Sequence, residues 1–275
     1  IINYSNRIFD SVCDLLPTDE IRVYRRSYSG TQVDVVNKIN ESINLAIQSD
    51  CAKSYSEIGI LVRNNLSLEF LANGLNVPFR IFDEDPLAIR NTTICNLFSH
   101  ILRFRFIENH RLNDVIEYLE RLTAIHNKKL ASIRKLINSV AGKVQDELSS
   151  TIIDISEKIL GVVINESDKE LINAICLDSK LLKHYKPIDE NEVQVMTLHK
   201  SKGLEFDVVY HLDLYDWIHP KRKFVQGNWD VIYDDWDQEL NLHYVGITRA
   251  KKYCVLVTSL NRLNGEYKVK TGNPS

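Results

Sequence analysis

Apolar and polar positions along the 275 residues follow two rhythms, and the change between them happens twice. In the first 90 residues helical and strand patterns alternate. "RIFDSVCDLL" carries apolar residues at helical spacing, "EIRVYRRSY" reads as a strand, and "VDVVNKINESINLAIQS" has the 3.6-residue period of an amphipathic helix. "EIGILVRN" predicts a buried strand, "LSLEFLANGL" a helix and "VPFRIF" a further strand. From about residue 88 the strand signals stop. "ICNLFSHILRF", "LNDVIEYLERLTAI", "LASIRKLINSVAGKV", "STIIDISEKILGVVI" and "KELINAICLDSKLLKHY" are successive helical patterns. After "KPIDEN" the mixed rhythm returns, with "EVQVMTL", "FDVVYHLDL" and "YCVLVTS" as strands and "DQELNLHYVGITRAKK" as a helix.

Strand, helix, strand in that order predicts an α/β fold with a parallel sheet and right-handed crossovers. The simplest organisation is one α/β domain in two segments, residues 1–88 and 189–275, interrupted by an all-α insertion at 89–188. The length fits two domains. An apolar fraction of 44% with 26% charged residues is that of a globular chain with a real core.

Five cysteines, scattered and never spaced C-x-x-C, argue against a disulfide framework and against a zinc site, no metal-binding residues are expected, and a reducing cytoplasm is the expected compartment. No apolar run approaches the ~18 residues of a membrane span, and no signal pattern opens the chain. A net charge of −3 means that any nucleic-acid contact must rest on local basic patches. The opening "IINYSNRIF", without an initiating Met, and the ending "TGNPS" predict a piece of a longer polypeptide.

Two segments carry candidate chemistry. "VQVMTLHKSKGLEFDVVY" sets a polar, glycine-containing connection at the carboxyl end of a strand, the edge where open α/β sheets bind ligands. His199 and Ser201 can meet phosphate oxygens, Lys202 adds positive charge, Gly203 permits close backbone approach and Glu205 can accept from a sugar hydroxyl. A glycine-hinged connection with a solvated lysine and glutamate has the same composition. "HYVGITRAKKYCVLVTS" puts Thr248, Arg249, Lys251 and Lys252 at a helix end, where basic residues also complement the helix dipole. Leu240, Tyr244 and Ile247 fall at i, i+4 and i+7 and are expected to face the sheet. "DWIHPKRKF" combines stacking aromatics with cations, as single-strand binders do, and a solvated basic turn reads the same way. For the acidic "YDDWDQE", helix capping by Asp235 or Asp237 is the expected role rather than metal binding.

Together, "MTLHKSKGLEF" and, about 40 residues on, "YVGITRAKK" closely resemble motifs V and VI of the UvrD/Rep-like superfamily I helicases. "IGILVRNN" and "NVPFRIF" look like the start of the second RecA-like domain of those enzymes. The resemblance implies a RecA-like (2A-type) domain at 1–88 and 189–275 with a helical, 2B-type insertion at 89–188. It implies that Arg249 reaches the γ-phosphate of ATP, that Glu205, with Gly203 beside it, touches the nucleotide sugar, and that Lys202 serves the nucleotide or the DNA side. Thr197, His199 and Ser201 would lie along single-stranded DNA, joined by Trp217, Lys221 and Arg222 from the basic loop.

The chain also departs from the family. Leu240 and Asn241 stand where members often carry two arginines. No G-x-x-x-x-G-K-[ST] sequence occurs, so the phosphate cradle and the Mg2+-binding hydroxyl would belong to an N-terminal RecA-like half of the same protein. The resemblance therefore implies the C-terminal part of an ATP-dependent 3′ to 5′ DNA helicase or translocase, acting on single-stranded or partly duplex DNA with ATP and Mg2+. Alone, this part is expected not to hydrolyse ATP. The compact insertion and "DEDPLAIRNTTICNLFSHIL" look like the helicases of Gabija-type antiphage defence, which implies a nuclease subunit as partner. The alternative is a non-catalytic module, derived from a helicase, that holds nucleic acid or a partner.

Overall fold

The computed structural model describes residues 1, 3–4, 20–122, 127–215, 218–223, 232–233, 235–264 and 266–271. The expected helix over "RIFDSVCDLL" lies outside them. The chain divides into two compact units, one formed by 1–83 with 188–275 and the other by 84–187.

The first unit is built on a six-stranded sheet in the order β1-β6-β5-β2-β4-β3. The strands are β1 (Val23–Tyr28), β2 (Ile58–Val62), β3 (Phe79–Phe82), β4 (Val193–Thr197), β5 (Phe206–His211) and β6 (Ala250–Ser259). Every neighbouring pair is parallel, as the strand-helix-strand order predicts. Both faces are covered, so the central strands are apolar throughout rather than alternating. Ile58, Ile60 and Val62 of β2 point to a core shared with Val35, Ile39 and Ile43 of α1 (Gln32–Gln48) and Leu68 and Leu71 of α2 (Asn65–Gly74). Leu61, between them, points to the opposite core with Met196, Phe206, Val209, Cys254 and Leu256. Fully burying one such side chain stabilises the fold by about 1.5–3 kcal/mol.

The opposite core is closed by α10 (Trp236–Thr248). Asp235 caps it, its side chain accepting from the Gln238 amide at 3.0 Å, in line with the capping expectation. The helix phase differs from the sequence reading. Leu242, Gly246 and Ile247 are buried, whereas Tyr244 is 40% exposed and Leu240 half-buried. The reason is Gly246: a Cβ there would stand 2.7 Å from both Leu198 and His211, so the bare glycine lets the helix seat on that side. A short hairpin, β7 (Asn261–Leu263) with β8 (Val269–Thr271), follows β6 and was not predicted.

The second unit is all-α, with α3 (Pro86–Arg90), α4 (Thr93–Phe106), α5 (Leu112–Leu122), α6 (Asn127–Asn138), α7 (Gln145–Leu160), α8 (Glu166–Leu177) and α9 (Ser179–Leu182). Phe98, Ile101, Leu119, Ile152, Ile172 and Tyr185 lie in its core. The buried Asp168 carboxylate accepts from Arg90 Nε at 3.1 Å and from Asn165 Nδ2 at 2.9 Å, and Asn165 in turn caps α8. Among the described residues, no helix is long and apolar enough to cross a membrane.

Candidate nucleotide and nucleic-acid interface

The connection from β4 to β5 begins at the carboxyl edge of the sheet, where Thr197 pairs with Val62 and the Leu198 amide donates to the Val62 carbonyl at 2.9 Å. The chain then turns tightly. The amides of Lys200 and Ser201 donate to the Thr197 carbonyl at 3.0 and 3.2 Å, and the Leu204 amide donates to the Ser201 carbonyl at 3.0 Å. Gly203 sits at φ +87°, a conformation that side chains with a Cβ rarely adopt. The connection ends at the amino ends of β5 and β6, where Phe206 pairs with Ala250 and its amide donates to the Arg249 carbonyl at 2.8 Å.

Not every candidate residue sits at the carboxyl edge. Only Thr197 and Leu198 do; Glu205 and Arg249 flank the amino ends of their strands. Eight residues thus run from one edge of the sheet to the other, and on the way Leu198 packs beneath Gly246 of α10.

Arg249 is fixed by three neutral acceptors. Nε donates to the Val245 carbonyl at 3.0 Å, Nη1 to the Leu204 carbonyl at 3.0 Å and Nη2 to the Thr248 hydroxyl at 3.1 Å. No carboxylate among the described residues pairs with it, so the guanidinium is oriented without its charge being matched. The neighbouring lysines differ. Lys251 and Lys252 both meet Asp207, at 3.3 and 2.6 Å. Burial pushes the Asp207 carboxyl up, but the bonds from Lys252 and Lys251 outweigh it and hold the group below the usual carboxylate range. Both lysines stand in β6 rather than in the last turn of α10, so their structural role is this pairing and not the complement to the helix dipole that the sequence suggests.

His199, Lys202, Gly203 and Glu205 are exposed, and Thr197 is half-buried. Ser201 is a correction: it is fully buried and its hydroxyl donates to the Leu198 carbonyl at 2.8 Å, so it shapes the turn and presents no surface to a ligand. In the basic loop, Lys221 is exposed and Arg222 half-buried, in an antiparallel bridge with Tyr233. Trp217 lies outside the described residues. His219, from the same loop, is turned inward and only 2% exposed.

Two buried polar groupings escaped sequence reasoning. Asp213, left-handed at φ +66°, accepts from the Arg63 amide at 2.8 Å, Ser67 Oγ at 2.7 Å and Arg262 Nη2 at 2.9 Å. It ties the end of β5 to α2 and to β7. Glu239 of α10 joins Arg63 Nη2 at 2.7 Å and His219 Nδ1 at 2.5 Å. Burial raises its pKa, but the hydrogen bonds from His219 and Arg63 bring it down to about 2. Its sequence signal is only an acid at a helix start, and the partners are remote along the chain.

The model of the UvrD-like helicase C-terminal domain matches residues 100–261, more than half of the chain and all of the β4–β6 site. The chain belongs to that family. It is 37% identical over 92 residues to the ATP-dependent DNA helicase Rep of Buchnera aphidicola (from Acyrthosiphon pisum), a match covering 32% of this chain and 13% of that protein. Rep of Escherichia coli K12 is 44% identical over 62 residues, 22% of this chain and 8% of Rep. DNA helicase II of Rickettsia typhi is 27% identical over 218 residues, 72% of this chain and 32% of the helicase. The chain thus spans a third or less of the length of these relatives. As a UvrD-like C-terminal domain, the α/β unit is a RecA-like parallel-sheet fold, as the motifs implied.

Proposed function

We propose that this chain is the C-terminal part of an ATP-dependent 3′ to 5′ DNA helicase or translocase. Its α/β unit acts as the second RecA-like (2A-type) domain and its helical unit as a 2B-type insertion. ATP binds against an N-terminal RecA-like domain of the same protein, which supplies the phosphate cradle and most of the Mg2+ ligands. Arg249 meets the γ-phosphate, Glu205 and Gly203 the sugar side, and Lys202 the nucleotide side. Thr197, His199, Lys221, Arg222 and Trp217 take single-stranded or partly duplex DNA.

The observation that carries the reading is the state of Arg249. Three neutral acceptors aim it and no described carboxylate neutralises it, which suits stabilisation of charge that develops only during phosphoryl transfer. The connection that begins beside His199 ends one residue from the Leu204 and Arg249 bond, so strand contact and nucleotide contact share one hydrogen-bonded segment.

Two variants of the intact protein test the division of labour. Arg249→Ala abolishes ATP hydrolysis and leaves single-strand affinity nearly unchanged. His199→Ala weakens single-strand affinity and leaves DNA-independent turnover intact. Turnover untouched by Arg249→Ala contradicts the role given to Arg249, whereas an intact wild-type protein that binds DNA but shows no ATP turnover favours the non-catalytic binding module instead. A nuclease subunit belongs to the same proposal, on the resemblance of the compact helical unit to defence helicases; copurification of the intact protein with a nuclease tests it, and isolation of a solitary, processive helicase contradicts it.

A further inference from the structure

Three imidazoles converge beneath α10. His211 ends β5, His219 comes from the loop after it, and His243 projects from α10. One ring nitrogen of each lies within 4.8 Å of the other two. His211 is fully buried, His219 2% exposed and His243 half-buried.

Hydrogen bonding fixes which nitrogens face one another. His211 Nδ1 lies 3.1 Å from the Leu212 carbonyl, which can only accept, so this nitrogen carries the proton and Nε2 keeps its lone pair. That Nε2 stands 3.1 Å from His243 Nδ1. His219 Nδ1 donates to Glu239 Oε2 at 2.5 Å, while Arg63 occupies Oε1 of the same carboxylate. A carboxylate behind one imidazole and a carbonyl behind another is the outer-shell arrangement that orients metal-binding histidines.

The cluster also has an open side. His219, His243 and Glu239 line a cavity of about 480 Å³ with Tyr4, Pro220 and Trp236. Bonds of 2.0–2.1 Å at tetrahedral angles put neighbouring ligand nitrogens ~3.3 Å apart, so the 3.1 Å pair is near that spacing and the third ring closes by at most about 1.5 Å.

We propose that His211, His219 and His243 form a trihistidine site for a divalent transition-metal ion of the Zn2+ class, with a further coordination position open to this cavity. Three imidazole ligands suit that class, in contrast to the oxygen ligands that hold Mg2+. The ion clips α10 to the end of β5, the same helix whose carboxyl end carries Arg249.

The test uses the intact protein, stripped with a chelator, dialysed and titrated with Co2+. The expected result is one equivalent bound with the visible ligand-field bands of a low-coordinate nitrogen site, displaced by equimolar Zn2+. His243→Gln removes the bands, and Glu239→Gln weakens Zn2+ binding 10–100-fold by loosening the outer shell. Circular dichroism establishes that each variant is folded; should His243→Gln fail to fold, His219→Gln, at the cavity wall, takes its place. Absence of the bands at saturating Co2+, or bands unchanged in a folded His243→Gln or His219→Gln protein, overturns the proposal and leaves a hydrogen-bonded chain of imidazoles.

Discussion

Arg249 Nη1 donates to the Leu204 carbonyl at 3.0 Å, a bond between residues 45 apart in the chain. It closes the β4–β5 connection onto the end of α10, and the Phe206 amide repeats the closure by donating to the Arg249 carbonyl at 2.8 Å. A movement of the connection therefore moves the guanidinium, which is what a device coupling two ligands at opposite sheet edges requires.

Gly246 is where the connection and the helix touch. Gly246→Ala puts a methyl 2.7 Å from Leu198 and His211 side-chain atoms, both fully buried. The expected cost is about 1–3 kcal/mol, typical of overpacking a tight core. Urea unfolding followed by circular dichroism measures it; an unchanged midpoint contradicts the close seating of α10.

Asp213 anchors the end of β5 against Ser67, Arg262 and the Arg63 amide. Asp213→Ala leaves the buried Arg262 guanidinium without its carboxylate and is expected to destabilise the α/β unit by about 3–5 kcal/mol. Asp213→Asn keeps an acceptor for Ser67 and costs less. Equal midpoints for the two variants in denaturant titration count against the network.

Acid stability reports on Asp207. Its folded pKa is depressed, the lysine bonds outweighing burial, so the folded state binds its proton less readily than the unfolded chain does. The stabilisation is present above the unfolded value of about 3.9 and is lost as the pH falls below it. Thermal midpoints measured from pH 6 down to pH 2.5 should fall more steeply for the wild type than for Asp207→Asn, which starts lower at pH 6. Parallel curves contradict a role for the Lys251 and Lys252 pairs.

The strand and helix pattern was legible because parallel strands buried on both faces read as apolar runs, "EIGILVRN" and "FDVVYHLDL" among them. Two short motifs pointed to the family for the same reason that they are compact: each packs its polar residues into one connection or one helix end. What stayed hidden depends on closure in three dimensions. Ser201 read as a surface residue because its bond to Leu198, three residues back, forms only once the turn curls. Tyr244 and Leu240 were expected to be buried because spacing gives a helix period but not its phase, which Gly246 sets. The β7–β8 hairpin has strands of three residues, too short for a periodic signal. His211, His219 and His243 are scattered along the chain and meet only after α10 lies on β5.

The central claim, that Arg249 serves the γ-phosphate, is tested most directly by steady-state ATP hydrolysis of the intact protein carrying Arg249→Ala, with single-strand affinity measured on the same preparation. The account predicts a fall in kcat of about 10³-fold or more with DNA affinity within roughly twofold of the wild type. Hydrolysis at the wild-type rate by a protein that binds DNA normally would contradict it.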